Sequence, residues 1–493
     1  MSSFPNRPEM LEGVADHIAC DLKEYEDWFT LEPPKLKEIT HHFIKELEKG
    51  LTVEGGNIPM NITWVMGYPT GNEKGRFLTI DMGGTNLRVC AVHLSSTKRD
   101  SDVFQKKYQL PEEIKTGTAD ELWSWVADRV QDFLNDHDSG GQKNQKLPLA
   151  FTFSFPVDQR SISTGVLQQW TKSFSVSGAE GEDVVAQLKA AVDRKVYVLN
   201  DRGKLHNSFI QKVPVEIVAL INDTTGTLIA SHYGDPQVKV GCVFSTGCNA
   251  AYMEECRLIP KLKHLNLPKD AQVIINTEYG AFDNDSVVLP LTPWDHQLDR
   301  ESLRPGTQRY EKMVAGLYVG EMLRLIMVNL HEENRLFKGQ DITRLRCENA
   351  LDATFLSIAE LDLSEDLEDM RDEFESSLSL SPLLIELKVC RYLIGLIATR
   401  AARLYACGIA AICKKKGIKK CHVGVDGSVF NKYSGFKQRA AQGLRDIFDW
   451  PSRELDLIVL NPSEDGSSVG AALAAALVLD RDMKGHLSKK KDD

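Results

Sequence analysis

The distribution of apolar and polar residues along the chain predicts strands that alternate with helices. Residues 77–92 and 238–253 each contain two apolar, β-rich runs around a short turn of small and polar residues, which is typical of a β-hairpin. Apolar runs in 147–156 and at the start of 215–227 predict buried strands. Because each hairpin opens an α/β segment, we expect an α/β protein with duplicated halves. The alternative is two unrelated hairpins.

Helical spacing of apolar residues appears in four other parts of the chain. It predicts helices within 1–50 and over 119–136, 310–335 and 384–416.

Two charged runs lie within or beside these helical regions. We interpret the acidic run at 360–375 as a solvated face or loop rather than a metal site. The basic run at 414–420 is expected to be the C-terminus of a helix ending near Gly417, because cations there complement the helix dipole. A nuclear or partner-binding patch is the alternative.

Composition narrows the classes of protein that the chain can be. Its 493 residues are 42% hydrophobic and 26% charged, which suits a globular protein of two or three domains. The net charge of -11 argues against broad binding to nucleic acid or anionic membranes. The start of the chain resembles no signal peptide, and no run reaches about 18 apolar residues. We therefore expect a cytoplasmic protein.

Ten cysteines are scattered along the chain without a C-x-x-C pair. Several lie in apolar runs such as 404–413. This distribution predicts buried, reduced thiols and disfavours a structural zinc site.

The turn of the first hairpin has the composition of a phosphate-binding loop. Gly83 and Gly84 would permit positive φ and close approach of the backbone, and Thr85 and Asn86 add hydrogen-bond donors. Asp81 could face a magnesium ion through water. The chain contains neither G-x-x-x-x-G-K-[ST] nor G-x-G-x-x-G, so this would be a different class of phosphate-binding loop.

A candidate general base follows the apolar run that begins at 215. Asp223 at the end of a strand could accept the proton of a substrate hydroxyl while that oxygen attacks phosphorus, and Asn222 could orient the hydroxyl. The alternative is that these residues only cap the next helix.

Other polar residues stand in apolar or glycine-marked surroundings and mix donors with acceptors. Such a set suits a polyhydroxyl ligand, whose hydroxyls each need a donor and an acceptor. The set comprises Ser154 with Phe155 and Pro156, Thr171 with Lys172, Asn249, Glu278 and Glu311.

Taken together, these motifs resemble the hexokinase family, and in particular the single-unit hexokinases and glucokinases of fungi. The resemblance covers roughly residues 10–480. Its marks are LTIDMGGTNLR at 78–88, FTFSFP at 151–156, WTK at 170–172, ALINDTTGT at 219–227, EYGAFDN at 278–284, VDGS at 425–428 and EDGS at 464–467.

The resemblance implies an actin-like ATPase or sugar-kinase fold, with ribonuclease H-like duplicated halves and two domains that close over a cleft. An N-terminal part would span 10–221, with its small α/β core at about 76–221. A C-terminal part would span 222–480, with a last helix that packs on the small domain, and 481–493 would be a tail.

The implied activity is ATP-dependent phosphorylation of the 6-hydroxyl of a hexose, which is the first step of glycolysis. Glucose is the implied substrate, and fructose or mannose would be further substrates. ATP and Mg²⁺ are the implied cofactors, and the hexose and ATP are the partners. We expect no direct nucleic-acid or membrane partner and a monomer or homodimer. The expected location is cytoplasmic, with a nuclear or mitochondrial-surface pool as the alternative.

The resemblance also assigns roles to single residues. Asp223 would be the base for the sugar 6-hydroxyl, and Lys172 would be the second catalytic residue. The residues that would contact the sugar are Ser154, Phe155, Pro156, Thr171, Lys172, Asn222, Asp223, Asn249, Glu278 and Glu311. Those that would line the nucleotide site are Asp81, Gly83, Gly84, Thr85, Asn86, Arg88, Thr246, Gly247, Asp426, Gly427, Ser428 and Gly466. Asp81 would also hold Mg²⁺ through water.

Three positions depart from the family pattern on the nucleotide side. Ser245 and Ser468 stand where glycine is usual, and Val425 stands where alanine is usual. Each added side chain would stand where the backbone has to approach phosphate or adenosine, and a non-glycine residue forced to positive φ costs on the order of 1 kcal/mol or more. The alternative function is therefore a weak or inactive sugar-binding regulatory protein. Residues 196–210 also look like an insertion.

Overall fold

A computed structural model describes residues 16–95, 100–136, 146–171, 174–199, 209–212, 215–451, 456–463 and 466–483. The chain divides into two compact units. The helix-rich unit consists of Met1–Met60, Cys242–Ala250 and Thr277–Pro462. The sheet-rich unit consists of Asn61–Gly241, Ala251–Asn276 and Ser463–Asp493. These units are not consecutive in sequence, and the family parts expected at 10–221 and 222–480 stay a prediction.

The strands of the sheet-rich unit include β1 (Asn61–Ile62), β2 (Gly75–Met82), β3 (Asn86–Ser95), β4 (Asp100–Gln109), β5 (Leu147–Phe153), β6 (Val157–Ser161), β7 (Thr164–Leu167), β8 (Val196–Leu199), β9 (Phe209–Lys212) and β10 (Val215–Ile221). A five-stranded sheet organises this unit, in the order β10-β5-β2-β3-β4. Strand β2 pairs in parallel with β5 and in antiparallel with β3, so that Ile80 lies opposite both Phe151 and Val89. The first hairpin is thus confirmed as β2 and β3.

Helices cover both faces of this sheet, because alternate residues of its strands are apolar on each side. Leu78 and Ile80 pack with Trp123 of the helix Ala119–Asp136 on one face. Phe77 packs with Leu228 and the alanines of 471–476 on the other. The helices of this unit are Glu112–Thr116, Ala119–Asp136, Val184–Arg194, Asp223–Gly234 and Gly466–Met483. The helix predicted near 119–136 is confirmed.

The second hairpin is also confirmed. It consists of β11 (Val238–Phe244) and β12 (Cys248–Glu255), with a turn over 245–247. In the sheet-rich unit, β12 pairs in antiparallel with β13 (Gln272–Asn276), which also pairs with β1. In the helix-rich unit the strand order is β12-β11-β14-β15, where β14 (Cys421–Asp426) and β15 (Ile458–Pro462) are parallel.

Packing in the helix-rich unit centres on the helix Leu384–Lys415, most of whose residues are buried. The Tyr310 hydroxyl donates to Leu404 O at 3.0 Å, and Phe43 packs edge-on against Tyr310. The other helices are Asp16–Phe29, Pro33–Gly50, Pro293–Glu301, Arg309–Val314, Gly316–Glu332, Ala353–Leu361, Glu368–Leu378, Ser428–Lys432 and Phe436–Phe448. The helices expected at 310–335 and 384–416 are therefore present.

The helix Leu384–Lys415 is long and apolar enough to cross a membrane by length and composition. This criterion is an average over the helix, which contains charged residues such as Arg400, and it differs from the run of about 18 apolar residues considered in the sequence. Buried residues make up 83% of its most apolar stretch, and the core helix of a soluble protein passes the same test.

The two charged runs behave as expected. The basic run ends this helix at Lys415, and Gly417 adopts φ +65° while its N–H donates to Lys414 O at 3.1 Å. The acidic run includes the helix Glu368–Leu378, which buries Met370 and Phe374 and leaves most carboxylates exposed.

Two remaining expectations fall partly outside the described residues. Within the apparent insertion at 196–210, β8 and β9 pair in antiparallel, and 200–208 lie outside the described part. The last helix extends to Met483, three residues into the segment expected as a tail, and 484–493 also lie outside it.

Candidate active site

The first candidate loop is the turn between β2 and β3 in the sheet-rich unit. Gly83 N donates to Asn86 O at 3.1 Å, and Thr85 O accepts from Leu110 N at 3.0 Å. Neither Gly83 nor Gly84 adopts the positive φ that a glycine would permit. A Cβ atom at Gly83 would meet only Asn86 O, at 3.9 Å. Gly83 therefore leaves open space beside the backbone rather than relieving strain.

The Asp81 carboxylate lies at the end of β2, next to this turn. Its Oδ2 accepts a hydrogen bond of 2.8 Å from Ser467 Oγ, and Arg88 is its antiparallel partner on β3. Sequence reasoning did not identify Ser467 as a site residue. The EDGS motif marked its position, but no sequence signal shows which residue its hydroxyl contacts.

The Asp81 carboxylate and its surroundings are compatible with binding of a magnesium ion. The described residues contain no group of three or more His, Cys, Asp or Glu side chains that could hold a metal ion. Mg²⁺ is usually held by one or two carboxylates together with waters and substrate phosphates rather than by a cage of protein ligands. A single half-buried carboxylate beside a glycine turn fits this mode.

Asn222 and Asp223 follow β10 in the same unit. Asn222 is the N-cap of the helix Asp223–Gly234, and its Oδ1 accepts from Thr224 N at 3.0 Å, so the capping interpretation is confirmed for Asn222. Asp223 is the first helical residue, and its Oδ1 accepts from Thr224 N at 2.8 Å. No described residue donates a hydrogen bond to its Oδ2. Capping by Asn222 thus leaves a carboxylate oxygen of Asp223 for another donor.

Ser154 and Phe155 come directly after β5. Ser154 is 8% exposed, and its N–H donates to Met82 O at 3.2 Å, which ties it to the end of β2. Phe155 packs edge-on against Trp170 at 4.9 Å. Pro156 and Thr171 are half-buried beside them. Lys172 lies outside the described residues.

Asn249 and Glu278 form a reciprocal pair in the helix-rich unit. Asn249 Nδ2 donates to Glu278 Oε1 at 3.0 Å, and Glu278 N donates to Asn249 Oδ1 at 3.0 Å. Glu278 has φ +55° and ψ +40°, a left-handed conformation that costs a glutamate about 1–3 kcal/mol. Non-glycine residues in such conformations cluster at functional sites.

Glu311 contacts the turn of the second hairpin in this unit. Its Oε2 accepts from Cys248 N at 2.9 Å. A Cβ atom at Gly247 would lie 2.6 Å from the same oxygen, so only glycine fits there without movement of Glu311. The predicted sugar-side carboxylate is therefore fixed against the predicted phosphate-side turn.

The same turn meets the end of β14. Ser245 Oγ lies 2.9 Å from Ser428 Oγ, and Gly427 adopts φ +130°, where a Cβ atom would lie 2.1 Å from Phe244 O. Asp426 ends β14, and Thr246 at the tip of the turn is exposed. Within the helix-rich unit, the structure thus brings together the five nucleotide-side residues assigned there: Thr246, Gly247, Asp426, Gly427 and Ser428.

The strain expected at the three departing positions is absent. Ser245, Val425 and Ser468 all avoid positive φ. Val425 is a buried strand residue, and Ser468 is helical, with its hydroxyl 3.2 Å from Cys90 Sγ. The backbone at these positions adopts ordinary conformations, which any residue tolerates. Gly466 begins the same helix as Ser468, in the sheet-rich unit.

Comparison with known proteins identifies the family. Hexokinase sequence models match residues 21–233 and 239–477. The hexokinase of Emericella nidulans is 50% identical over 99% of this chain and 96% of its own length. Hexokinase-1 of Saccharomyces cerevisiae is 44% identical over 96% of each chain. The solved structure of Schistosoma mansoni hexokinase complexed with glucose has a TM-score of 0.81 and 32% identity, and the match covers 96% of this chain and 99% of that one. The chain therefore belongs to the hexokinase family and has its actin-like sugar-kinase fold.

Proposed function

We propose that this protein transfers the terminal phosphoryl group of ATP to the 6-hydroxyl of a hexose. The observation that carries this proposal is the Asp223 carboxylate at the first turn of a helix, with one oxygen bonded to Thr224 N and the other without a donor in the described chain. Full-length relatives at 43–50% identity are named hexokinases, which supports the same reaction class.

Asp223 would act as the general base. The hexose O6–H proton passes to its carboxylate as O6 bonds to the γ-phosphorus, and the bond from that phosphorus to the β–γ bridging oxygen breaks to release ADP. Proton transfer to a positioned carboxylate contributes about 10²–10⁴-fold in rate. Lys172 is proposed as the second catalytic residue.

Mg²⁺, when bound with ATP, would neutralise charge on the phosphates, and Asp81 is the residue proposed to hold it through water. The other nucleotide residues proposed in the sheet-rich unit are Gly83, Gly84, Thr85, Asn86, Arg88 and Gly466. Those in the helix-rich unit are Thr246, Gly247, Asp426, Gly427 and Ser428. The space beside Gly83 and the close approach at Gly427 support these assignments.

The hexose would be recognised through paired donors and acceptors. Glu278 and Asn249 already hold each other in a fixed geometry, and Glu311 is fixed by Cys248 N. Carboxylates held in this way can bind sugar hydroxyls through charge-assisted hydrogen bonds. Ser154, Phe155, Pro156, Thr171, Lys172 and Asn222 complete the proposed sugar contacts. Glucose is the proposed substrate, with fructose or mannose as further ones.

The alternative of a weak or inactive regulatory protein loses one of its two grounds, backbone strain, because Ser245, Val425 and Ser468 all avoid positive φ. We further propose a cytoplasmic monomer or homodimer, and the buried, reduced thiols of the described chain support the location.

The test compares the wild type with Asp223→Ala. We expect glucose 6-phosphate formation from ATP and glucose by the wild type and a loss of about 10²–10⁴-fold in kcat for the variant. Glucose binding, followed by the fluorescence of the seven tryptophans, should persist in both. Asp235→Asn, at the C-cap of the same helix, is the control that should keep its turnover.

A wild type that binds glucose without forming glucose 6-phosphate would refute the enzyme proposal. Turnover that survives in Asp223→Ala would instead leave the reaction in place and remove Asp223 from its role.

A further inference from the structure

The first turn of the helix Gly466–Met483 makes side-chain contacts with three neighbouring strands of the five-stranded sheet. Ser467 Oγ donates to Asp81 Oδ2 on β2 at 2.8 Å, and Ser467 O accepts from Thr152 Oγ1 on β5 at 3.1 Å. Ser468 Oγ lies 3.2 Å from Cys90 Sγ on β3. Ser467 is only 8% exposed, so bulk water has little access to the hydrogen bond between its hydroxyl and Asp81.

The same turn is fixed from its other side by the helix that begins at Asp223. A Cβ atom at Gly226 would lie 2.9 Å from Gly466 O, and one at Gly470 would lie 2.1 Å from Gly226 O. The two helix backbones therefore touch without side chains between them. Such close packing leaves the Ser467 backbone little freedom to move.

We propose that Ser467 is a positioning residue for phosphoryl transfer, which holds the Asp81 carboxylate in one orientation for Mg·ATP. This inference rests on the proposed function. A hydroxyl donor to a carboxylate forms a strong, charge-assisted hydrogen bond, and it fixes the rotation of the carboxylate. Ser467 is anchored by the helix that packs against the Asp223 helix, so a single turn sets the placement of both functional carboxylates.

Loss of the hydroxyl should weaken magnesium-dependent nucleotide binding. Removing an outer partner of a metal-site group typically costs about 10–100-fold in metal affinity or activity. For Ser467→Ala we expect roughly tenfold weaker binding of a non-hydrolysable imido analogue of ATP in the presence of Mg²⁺. Binding of the same analogue in EDTA, and glucose binding, should match the wild type. Titration calorimetry measures all three, and kcat should fall without a change in the KM for glucose.

Ser231→Ala is the matched control. It also removes one hydroxyl–hydroxyl contact, Ser231 Oγ to Ser463 Oγ at 2.9 Å, between the Asp223 helix and the segment that leads into the last helix. The Ser231 hydroxyl contacts that of Ser463 and not a carboxylate. The Ser231→Ala protein should therefore bind the imido analogue in the presence of Mg²⁺ with an affinity within about twofold of the wild type.

Equal magnesium dependence in Ser467→Ala and the wild type would overturn the proposal. If Ser467→Ala does not fold, as judged by circular dichroism, Ser467→Cys carries the same expectation, because a thiol of similar size is a weak donor. Ser467→Thr keeps a hydroxyl and should recover most of the magnesium-dependent binding. The calorimetry does not require turnover, so an inactive wild type would refute the proposed function and still leave this inference testable.

Discussion

The Ser245 hydroxyl lies 2.9 Å from that of Ser428, and the Ser245 backbone avoids the left-handed region. Serine restricts the unfolded chain more than glycine does, so Ser245→Gly should lower the free energy of unfolding by about 0.4–1 kcal/mol. Relief of strain would have the opposite sign and would raise it by about 1 kcal/mol. Urea unfolding of the two proteins, followed by circular dichroism, distinguishes the two signs.

Ser245→Ala is the control for this comparison. It removes the contact with Ser428 but keeps a Cβ atom and its restriction of the backbone. Its loss of stability should be smaller than that of Ser245→Gly. A glycine variant that is more stable than the wild type would show that Ser245 is strained and would restore the basis for a weakened nucleotide site.

At this scale, the sequence predicts residue types better than conformations. Asp223, Asn222 and the glycine turn could be named because an apolar strand followed by small or acidic residues is a pattern in sequence. The backbone conformation of Gly83 could not be predicted, because several turn types can connect the same two strands. The φ of +55° at Glu278 could not be predicted either. Tertiary contacts impose such a backbone conformation, and the residue type does not indicate it.

Among the helices, Leu384–Lys415 and Pro293–Glu301 are joined by a buried ion pair. Arg400 donates to both oxygens of Asp295, at 2.7 and 2.9 Å, and both side chains are at most 3% exposed. Asp295 also accepts from Thr292 in the capping box of its own helix. Asp295→Ala would leave the Arg400 charge buried without its partner. We expect it to lower the free energy of unfolding by about 3–5 kcal/mol, as measured by urea unfolding.

An exposed pair in the same unit provides the control. Arg346 and Glu332 are 2.8 Å apart, with side chains 50% and 54% exposed. Glu332→Ala should cost only about 0.2–1 kcal/mol, because solvent screens the pair. Similar losses for the two alanine variants would contradict the view that burial of the charge, rather than the pairing itself, sets the cost.

Helices could be predicted where the spacing of apolar residues along the chain was regular. The helix Ala119–Asp136 has regular apolar spacing and one buried face, so its approximate position could be predicted. The run 360–375 gave a weaker signal, because its three buried apolar residues, Leu367, Met370 and Phe374, stand among many acidic residues. The helix Leu384–Lys415 is apolar on average although Arg400 interrupts it, so a search for consecutive apolar residues does not find it and a search by mean hydropathy does.

The division of the whole molecule could not be read from sequence order. Each unit is built from three separate stretches, and the boundaries pass through the strands Val238–Phe244 and Cys248–Glu255. A strand that runs from one unit into the next shows no change of composition or turn residue at the crossing. Sequence patterns mark where elements begin and end, whereas units are defined by packing between distant stretches.

Thiol reactivity can be compared across the whole molecule, because eight of the nine described cysteines are buried and Cys347 is exposed. Burial raises the pKa of Cys242 to about 12, so its thiolate fraction at pH 8 is about 10⁻⁴. Burial likewise raises the pKa of Cys248 well above its usual range.

N-ethylmaleimide at pH 8 should therefore modify Cys347 first, in a protein that carries Cys20→Ser so that only described thiols are compared. Peptide mass mapping over time measures each rate. Cys347→Ser should abolish the fast phase, and urea should expose the other thiols together. Rapid modification of Cys248 in the folded protein would contradict its burial next to the turn over 245–247.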